Sequence, residues 1–278
     1  MRLATWNVNS LLARLPRVLE WLQSVEPDVL CLQETKVADA AFPAAEIEAL
    51  GYEIAAHGDG RWNGVAILSR SPLREVSRGF AGEPGFPARE ARAIAASVAG
   101  LRVWCIYAPN GRALESPAFA YKLSWLAALR KAVAQDLASA AALVLCGDFN
   151  IAPSDDDVWD PREFVGSTHV SGAERAELDA LLALGFSDLK PRALKGRPFT
   201  YWDYRAGMFH QGYGMRIDLV LLSDVLAAAV RDSYIDRDAR KGKKPSDHAP
   251  VVVDLELARV TSADAKQRAR ARASAAGA

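Results

Sequence analysis

The chain is poor in cysteine and histidine and has no excess of either charge. Its three cysteines, Cys31, Cys105 and Cys146, all fall inside apolar runs that read as strands. An odd number of thiols, none of them in a loop, argues against a disulfide framework and fits core residues in a reducing compartment. A cytoplasmic protein is therefore expected. The four histidines, His57, His169, His210 and His248, include no closely spaced pair, which speaks against a zinc centre. No apolar run is long enough to cross a bilayer. The first residues lack the long apolar segment and cleavage site of a secretory signal, so no membrane partner is expected. The 34 Lys and Arg residues balance 34 Asp and Glu. A neutral sum weakens the case for a simple basic nucleic-acid binder, yet it leaves room for an acidic cluster beside a basic face.

What is present is a hydrophobic half in 278 residues, enough for a substantial core. Apolar patterning predicts strands over Leu3–Val8, Asp28–Gln33, Tyr52–Ala56, Gly64–Ser69, Ala91–Val98, Leu101–Tyr107, Leu143–Cys146, Ile217–Leu222 and Pro250–Leu257. Ala99-Gly100 reads as a tight hairpin turn, which makes its flanking strands antiparallel. Helices are predicted over Leu15–Leu22, Ala44–Leu50, Phe119–Leu137 and Ala173–Leu184. Alternating strands and helices with hairpins mixed in imply an α/β fold whose sheets are not purely parallel. No Gly-, Ser- or Pro-rich linker divides the chain, so residues 1–257 are expected to form one domain. Residues 258–278 turn to Ala, Arg and Ser without apolar periodicity and read as a mobile basic tail.

Several strand-like runs end in acids and amides: Asn7 after the first, Gln33-Glu34-Thr35, and Gly147-Asp148-Phe149-Asn150. Ser246-Asp247-His248 precedes another. Carboxylates gathered at strand ends can converge on one hard cation and one phosphate. Magnesium suits such oxygen ligands, with manganese as a substitute. Glu34 and Asp247 would supply charge, with Asn7 and Asn9 in support. Asp148 and Asn150, two apart, face the same way if the backbone stays extended; one could hold a water as base while the other donates to a phosphate oxygen. Asp218 on a strand needs a partner if buried, and a histidine is the natural one. Tyr107 ends a strand and stays protonated near neutral pH, able to donate to a phosphate oxygen. The basic run Arg240-Lys241-Gly242-Lys243-Lys244 lies just before Asp247 and could contact a phosphate backbone. Taken singly, each pattern also has a bland reading as a turn, a cap or a core residue.

Taken together, Thr5-Trp6-Asn7-Val8-Asn9, Leu32-Gln33-Glu34-Thr35-Lys36, Ile106-Tyr107-Ala108-Pro109-Asn110-Gly111, Gly147-Asp148-Phe149-Asn150, Met215-Arg216-Ile217-Asp218 and Pro245-Ser246-Asp247-His248-Ala249-Pro250 closely resemble the motif series of the exonuclease III family. These are class II abasic-site endonucleases of the endonuclease/exonuclease/phosphatase superfamily. Trp62-Asn63-Gly64-Val65-Ala66 and Phe199-Thr200-Tyr201-Trp202-Asp203-Tyr204 point to the exonuclease III branch.

The resemblance implies a DNase I-like four-layer α/β/β/α sandwich of two mixed sheets flanked by helices, with the site at one end. It implies Glu34 as main metal ligand, helped by Asn7 and Asp247, and with Asp148, Asn150 and His248 close to the metal. Asp148 would position the water, supported by Asn150. His248, held by Asp218, would stabilise the charged phosphate, and Tyr107 would assist the phosphate or leaving group. Asn110, with Arg112, Lys241, Lys243 and Lys244, would contact DNA. Tyr201, Met215 and Ile217, with Trp202 as wall or core, would form a pocket for a flipped-out abasic sugar. The expected activity is magnesium-dependent cleavage 5′ of abasic sites in double-stranded DNA by a monomer, with 3′-to-5′ exonuclease, 3′-phosphodiesterase and 3′-phosphatase action at blocked 3′ ends. Two rival readings stay open: a phosphoesterase for inositol phosphates, sphingomyelin or RNA tails, and a catalytically silent nucleic-acid-binding module. Retention of every carboxylate, of Tyr107 and of His248 speaks against the last.

Overall fold

The strand-like runs do form strands, and their alternation sorts them into layers. In the computed structural model, residues 1–80, 90–140, 142–258 and 260 are described. The strands are β1 (Arg2–Asn7), β2 (Val29–Gln33), β3 (Glu53–His57), β4 (Val65–Ser69), β5 (Arg74–Arg78), β6 (Ala93–Val98), β7 (Leu101–Tyr107), β8 (Leu143–Asp148), β9 (Phe186–Asp188), β10 (Arg192–Ala193), β11 (Asp218–Ser223), β12 (Val230–Ile235) and β13 (Val251–Leu255). The α-helices are α1 (Leu11–Val25), α2 (Ala44–Glu48), α3 (Pro117–Ser139), α4 (Gly172–Leu182), α5 (Met208–Gln211) and α6 (Asp224–Ala227). One sheet has the order β10-β12-β13-β1-β2-β4-β3, the other β5-β6-β7-β8-β11-β9. Both are mixed: β1 runs parallel to β2 and β7 to β8, while β13 is antiparallel to β1 and β11 to β8.

Period-two alternation explains the sandwich. In β2, Val29 and Cys31 join the core shared with Val103, Cys105, Val144 and Val220 of the other sheet. Leu30 and Leu32 point the other way, onto Val18, Trp21 and Leu22 of α1. In β8, Val144 and Cys146 face inward, whereas Leu143 and Leu145 meet Trp125, Leu126 and Leu129 of α3 and Leu178 and Leu181 of α4. The expected four layers follow: helix, sheet, sheet, helix. All three thiols are free and buried. Among the described residues no helix is long and apolar enough to cross a membrane.

Local signals set the element ends. Ala99 and Gly100 both have positive φ, 48° and 83°, as a type I′ hairpin turn demands. The Ser116 side chain accepts from the Phe119 N–H and Pro117 opens α3. Helix α1 starts four residues before its expected onset because Leu11 is buried and its N–H bonds Thr35 O. Strands β5 and β12 were not expected: β5 is a polar edge strand and β12 interrupts its apolar residues with Arg231 and Asp232. Val260 packs into the inter-sheet core, so packing reaches past residue 257; the expected tail from 261 onward lies outside the described residues.

The parallel pairs β1–β2 and β7–β8 put four strand ends side by side. Tyr107 pairs with Asp148 and Asn7 with Gln33, each at the C-terminal end of its strand. Close approach of β7 to β8 depends on Gly147, whose φ is 140° and where an added Cβ would lie 1.9 Å from Ile106 O. Gly147→Ala should therefore destabilise the fold by about 2 kcal/mol or more, combining a forbidden φ with overpacking. Urea unfolding checks this, and a loss under about 0.5 kcal/mol, the range of an ordinary surface change, would contradict the close-approach argument.

A candidate active site at one end of the sheets

The functional side chains reach the site from the ends of central strands and from the loops beside them. Asn7 ends β1, Glu34 follows β2, Tyr107 ends β7, Asp148 ends β8 and Asp218 begins β11 directly opposite Asp148. The segment around Tyr201 runs between two neighbours. On one side Tyr201 exchanges backbone hydrogen bonds with Met215; on the other, Trp202 N–H donates to Asp247 O and Ala249 N–H to Thr200 O. Ser246 closes the ring: its Oγ donates to Asn7 O at 2.7 Å and accepts from the His248 N–H. Thr200 Oγ1 accepts from the N–H groups of Ile217 and Asp218. Behind this wall, buried Arg216 donates to Asp157 at 2.6 Å and bidentately to Asp188, fixing the backbone between Met215 and Ile217.

Ligand atoms of Glu34, Asp148 and His248 all lie within 4.8 Å of one another. The Asn7 amide donates to Glu34 Oε1 at 2.8 Å and to Asp148 Oδ2 at 2.9 Å. His248 Nδ1 bonds Asp218 Oδ2 at 2.8 Å, and its Nε2 lies 3.9 Å from Asp148 Oδ2. Burial would lower the His248 pKa, but Asp218, Asp148 and Asp247 outweigh it and raise it to about 10, so the ring is an imidazolium. Burial raises Asp148 to about 7, with Asp218 and Glu34 adding repulsion that His248 opposes. Burial also acts to raise Glu34, yet Lys36, Asn7 and His248 hold it below the ordinary range. Lys36 Nζ lies 2.7 Å from Glu34 and 2.6 Å from Asn9 Oδ1. Burial, then Glu34 and Asp148, push the Tyr107 phenol well up, so it remains a donor.

Glu34, Tyr107, Asp148 and His248 line a cleft of about 520 Å³. Asn110, Arg112, Tyr201, Met215, Ile217 and Asp247 line it too, as expected from the sequence. Other expectations need correction. Asp148 and Asn150 do not share an extended backbone. Asn150 has φ 52° and its N–H folds back onto Asp148 Oδ1 at 2.9 Å, a turn that Asn tolerates. Its side chain faces Asn110 and Ala108 O instead. Trp202 does not line the cleft: it is buried in the inter-sheet core beside Phe199. Arg237 and Arg240 lie over its ring. Lys241, Lys243 and Lys244 are exposed on a loop outside the cleft, its backbone held by Arg17 donating to the carbonyls of Ala239, Lys241 and Lys243. Asp247 lines the same cleft as the three-residue cluster without being part of it, its Oδ1 accepting from Asn9.

The structure adds His169, which sequence reasoning passed over. Its Nε2 lies 3.1 Å from Asn150 Oδ1 and 3.2 Å from Asn110 Nδ2. Burial and then Lys122 lower its pKa to about 4, so the ring is neutral. No spacing rule marks it, since its neighbours in space are 19 and 59 residues away in sequence.

The donor set fits a hard divalent cation: carboxylate oxygens of Glu34 and Asp148 face each other with Asp247 near by, and the excess negative charge is only partly met by His248 and Lys36. Comparison with known proteins identifies the family. The Endonuclease/Exonuclease/phosphatase family matches residues 4–248. Exodeoxyribonuclease III of Haemophilus influenzae is 34% identical over 267 residues, spanning 90% of this chain and 98% of that protein. The structure of a Neisseria 3′ phosphatase bound to a product DNA hairpin is 42% identical, with TM-score 0.88 over 92% of this chain and 99% of that one. An AP endonuclease from Archaeoglobus fulgidus is 36% identical, with TM-score 0.86 over 92% and 99%. On sequence and fold alike, this chain belongs to the endonuclease/exonuclease/phosphatase family and is a nuclease of its exonuclease III branch.

Proposed function

We propose that the protein is a magnesium-dependent DNA repair hydrolase acting as a single chain on duplex DNA. It removes 3′-blocking groups, digests from 3′ ends and cuts 5′ of abasic sites. The observation that carries this reading is the convergence of Glu34, Asp148 and His248 within 4.8 Å, from segments far apart in the chain. The Haemophilus, Neisseria and Archaeoglobus relatives support DNA over inositol phosphates, sphingomyelin or RNA tails as substrate. The full complement of ionisable groups supports catalysis over silent binding.

Glu34 would be the main ligand of the cation, with Asp148 and Asp247 adjoining and Asn7 fixing both Glu34 and Asp148. The cation, magnesium or manganese in its place, would offset phosphate charge and stabilise the leaving oxygen. Asp148 holds the attacking water and takes its proton. The His248 imidazolium, aligned by Asp218, points Nε2–H toward the same space and stabilises charge developing on the phosphate. Tyr107, Asn110 and Asn150 donate to the remaining phosphate oxygens or orient the leaving group. Tyr201, Met215 and Ile217 form an apolar wall against the sugar, and a sugar without its base costs little to extrude. Lys241, Lys243 and Lys244 give long-range attraction to the phosphate backbone.

Labelled duplexes carrying a 3′-phosphate or an internal abasic site should both be processed with magnesium, and neither with chelator. Failure to act on either duplex, or full activity in chelator, would overturn the reading. His248→Ala should raise the barrier to turnover by ~2–4 kcal/mol, the range for losing one preorganised electrostatic stabiliser; near-normal turnover would remove His248 from the mechanism. Glu34→Ala should shift the magnesium titration to much higher concentration, and an unchanged titration would place the cation elsewhere.

A further inference from the structure

Helix α3 carries a lysine where its apolar stripe calls for a hydrophobe. Lys122 follows Phe119 by three residues and precedes Trp125 by three, and both neighbours are buried. Lys122 is itself fully buried, as is its partner Glu174. The three protons of the ammonium are all placed: Nζ donates to Glu174 Oε1, to Asn150 O at 2.6 Å and to Asn110 O at 3.3 Å. Glu174 is equally committed. Its Oε1 accepts from the His169 N–H at 2.9 Å, and its Oε2 accepts from the N–H and Oγ of Ser171. Thr168 Oγ1 bridges the pair to the loop, 2.8 Å from Glu174 Oε1 and 2.9 Å from Asn110 O.

The segments tied together in this way are those that supply one side of the cleft. Asn110, Asn150 and His169 all present side chains there and touch one another. Asn150, His169 and the neighbouring Arg112 hold left-handed φ values of 52°, 79° and 60°, a conformation that non-glycine residues keep only where surroundings enforce it. Stability is a weak reason to retain such a pair. Replacing a buried ion pair by apolar residues of similar volume is often neutral or stabilising.

We propose that the buried Lys122–Glu174 pair is a positioning device that sets the Asn110 and Asn150 side chains toward the substrate phosphate. The inference rests on the function proposed above for the role of those two amides, but the positioning itself is a property of the fold. Neither Lys122 nor Glu174 touches substrate; both act through backbone carbonyls and loop conformation.

The test uses the full-length Lys122→Met/Glu174→Leu variant, with Glu174→Gln as a second variant that keeps the side chain's shape and one acceptor oxygen but removes the charge and puts an NH2 group in place of the other oxygen. Two readouts are taken. Amide hydrogen exchange should speed up about tenfold or more at Asn150 and Arg112, whose N–H groups bond side chains within the site, while β8 stays protected. Release of phosphate from a 3′-phosphate duplex should lose about 100-fold in kcat for the double variant, as for an ångström-scale misplacement, with KM changed little. Glu174→Gln should move both readouts in the same direction by less. Should the double variant not fold, Glu174→Gln decides. Exchange and kcat within twofold of the parent would overturn the proposal. A parent inactive on every duplex would sink the function reading, whereas the exchange pattern would still decide whether the pair positions the loops.

Discussion

Two aspartates face each other across a pair of strands in the interior of the protein. Asp148 and Asp218 are in register between β8 and β11 and both are almost fully buried. Glu34 adds a third carboxylate from the opposite sheet. Like charges brought together out of water repel strongly, and such a site persists only with compensating cations. His248 is the first. Its imidazolium lies between Asp218 and Asp148, and those acids hold its proton on against burial. Lys36 is the second, set against Glu34. The geometry leaves room and charge for a divalent ion between the sheets, and a phosphodiester brought there meets positive charge where water alone would not supply it.

Holding that crowd in place requires backbone conformations that regular strands do not provide. Asn9, Ser10, Glu34, Lys36, Arg112, Asn150 and His169 all have positive φ. Most of these residues line the site or contact a residue that does. They are held by tertiary bonds: the N–H groups of Val8, Ser10 and Leu11 donate to the carbonyls of Gln33, Glu34 and Thr35, lacing the loop after β1 to the loop after β2. Strain at a functional site costs of order 1–3 kcal/mol per residue and is met by the surrounding fold. Rigid strands deliver the side chains to the right end of the sandwich; strained turns then aim them.

That division also explains what the sequence discloses. Buried strands declare themselves by apolar runs, so Glu34, Tyr107, Asp148 and Asp218 were legible as residues at strand ends. Their order along the chain was legible as a family pattern. Turn geometry was not: Asp148-Phe149-Asn150 reads from sequence equally as an extended pair or as a turn, and Asn150 takes the turn with a left-handed φ. Trp202 could be read from sequence as pocket wall or as core, and it is core, since a tryptophan beside Tyr201 on an extended segment points to the opposite face. Strand β12 was hidden by charge, and β5 by polarity at a sheet edge. Lys122 and Glu174 did leave traces, a lysine inside the stripe from Phe119 to Val133 and a Ser171-x-x-Glu174 capping box, but neither trace says that the two meet. Long-range pairing of buried polar groups is set by topology, and topology is what a local reading lacks.

The central claim is that Glu34 and its neighbours form one divalent-cation site between the sheets. The most direct measurement is an anomalous difference map from crystals of the protein grown with manganese. The account predicts a peak at about 2.1 Å from a Glu34 carboxylate oxygen, the distance typical of a hard divalent ion, in the space enclosed with Asp148 and His248. A well-occupied peak bonded to other residues, with none at Glu34, would contradict it.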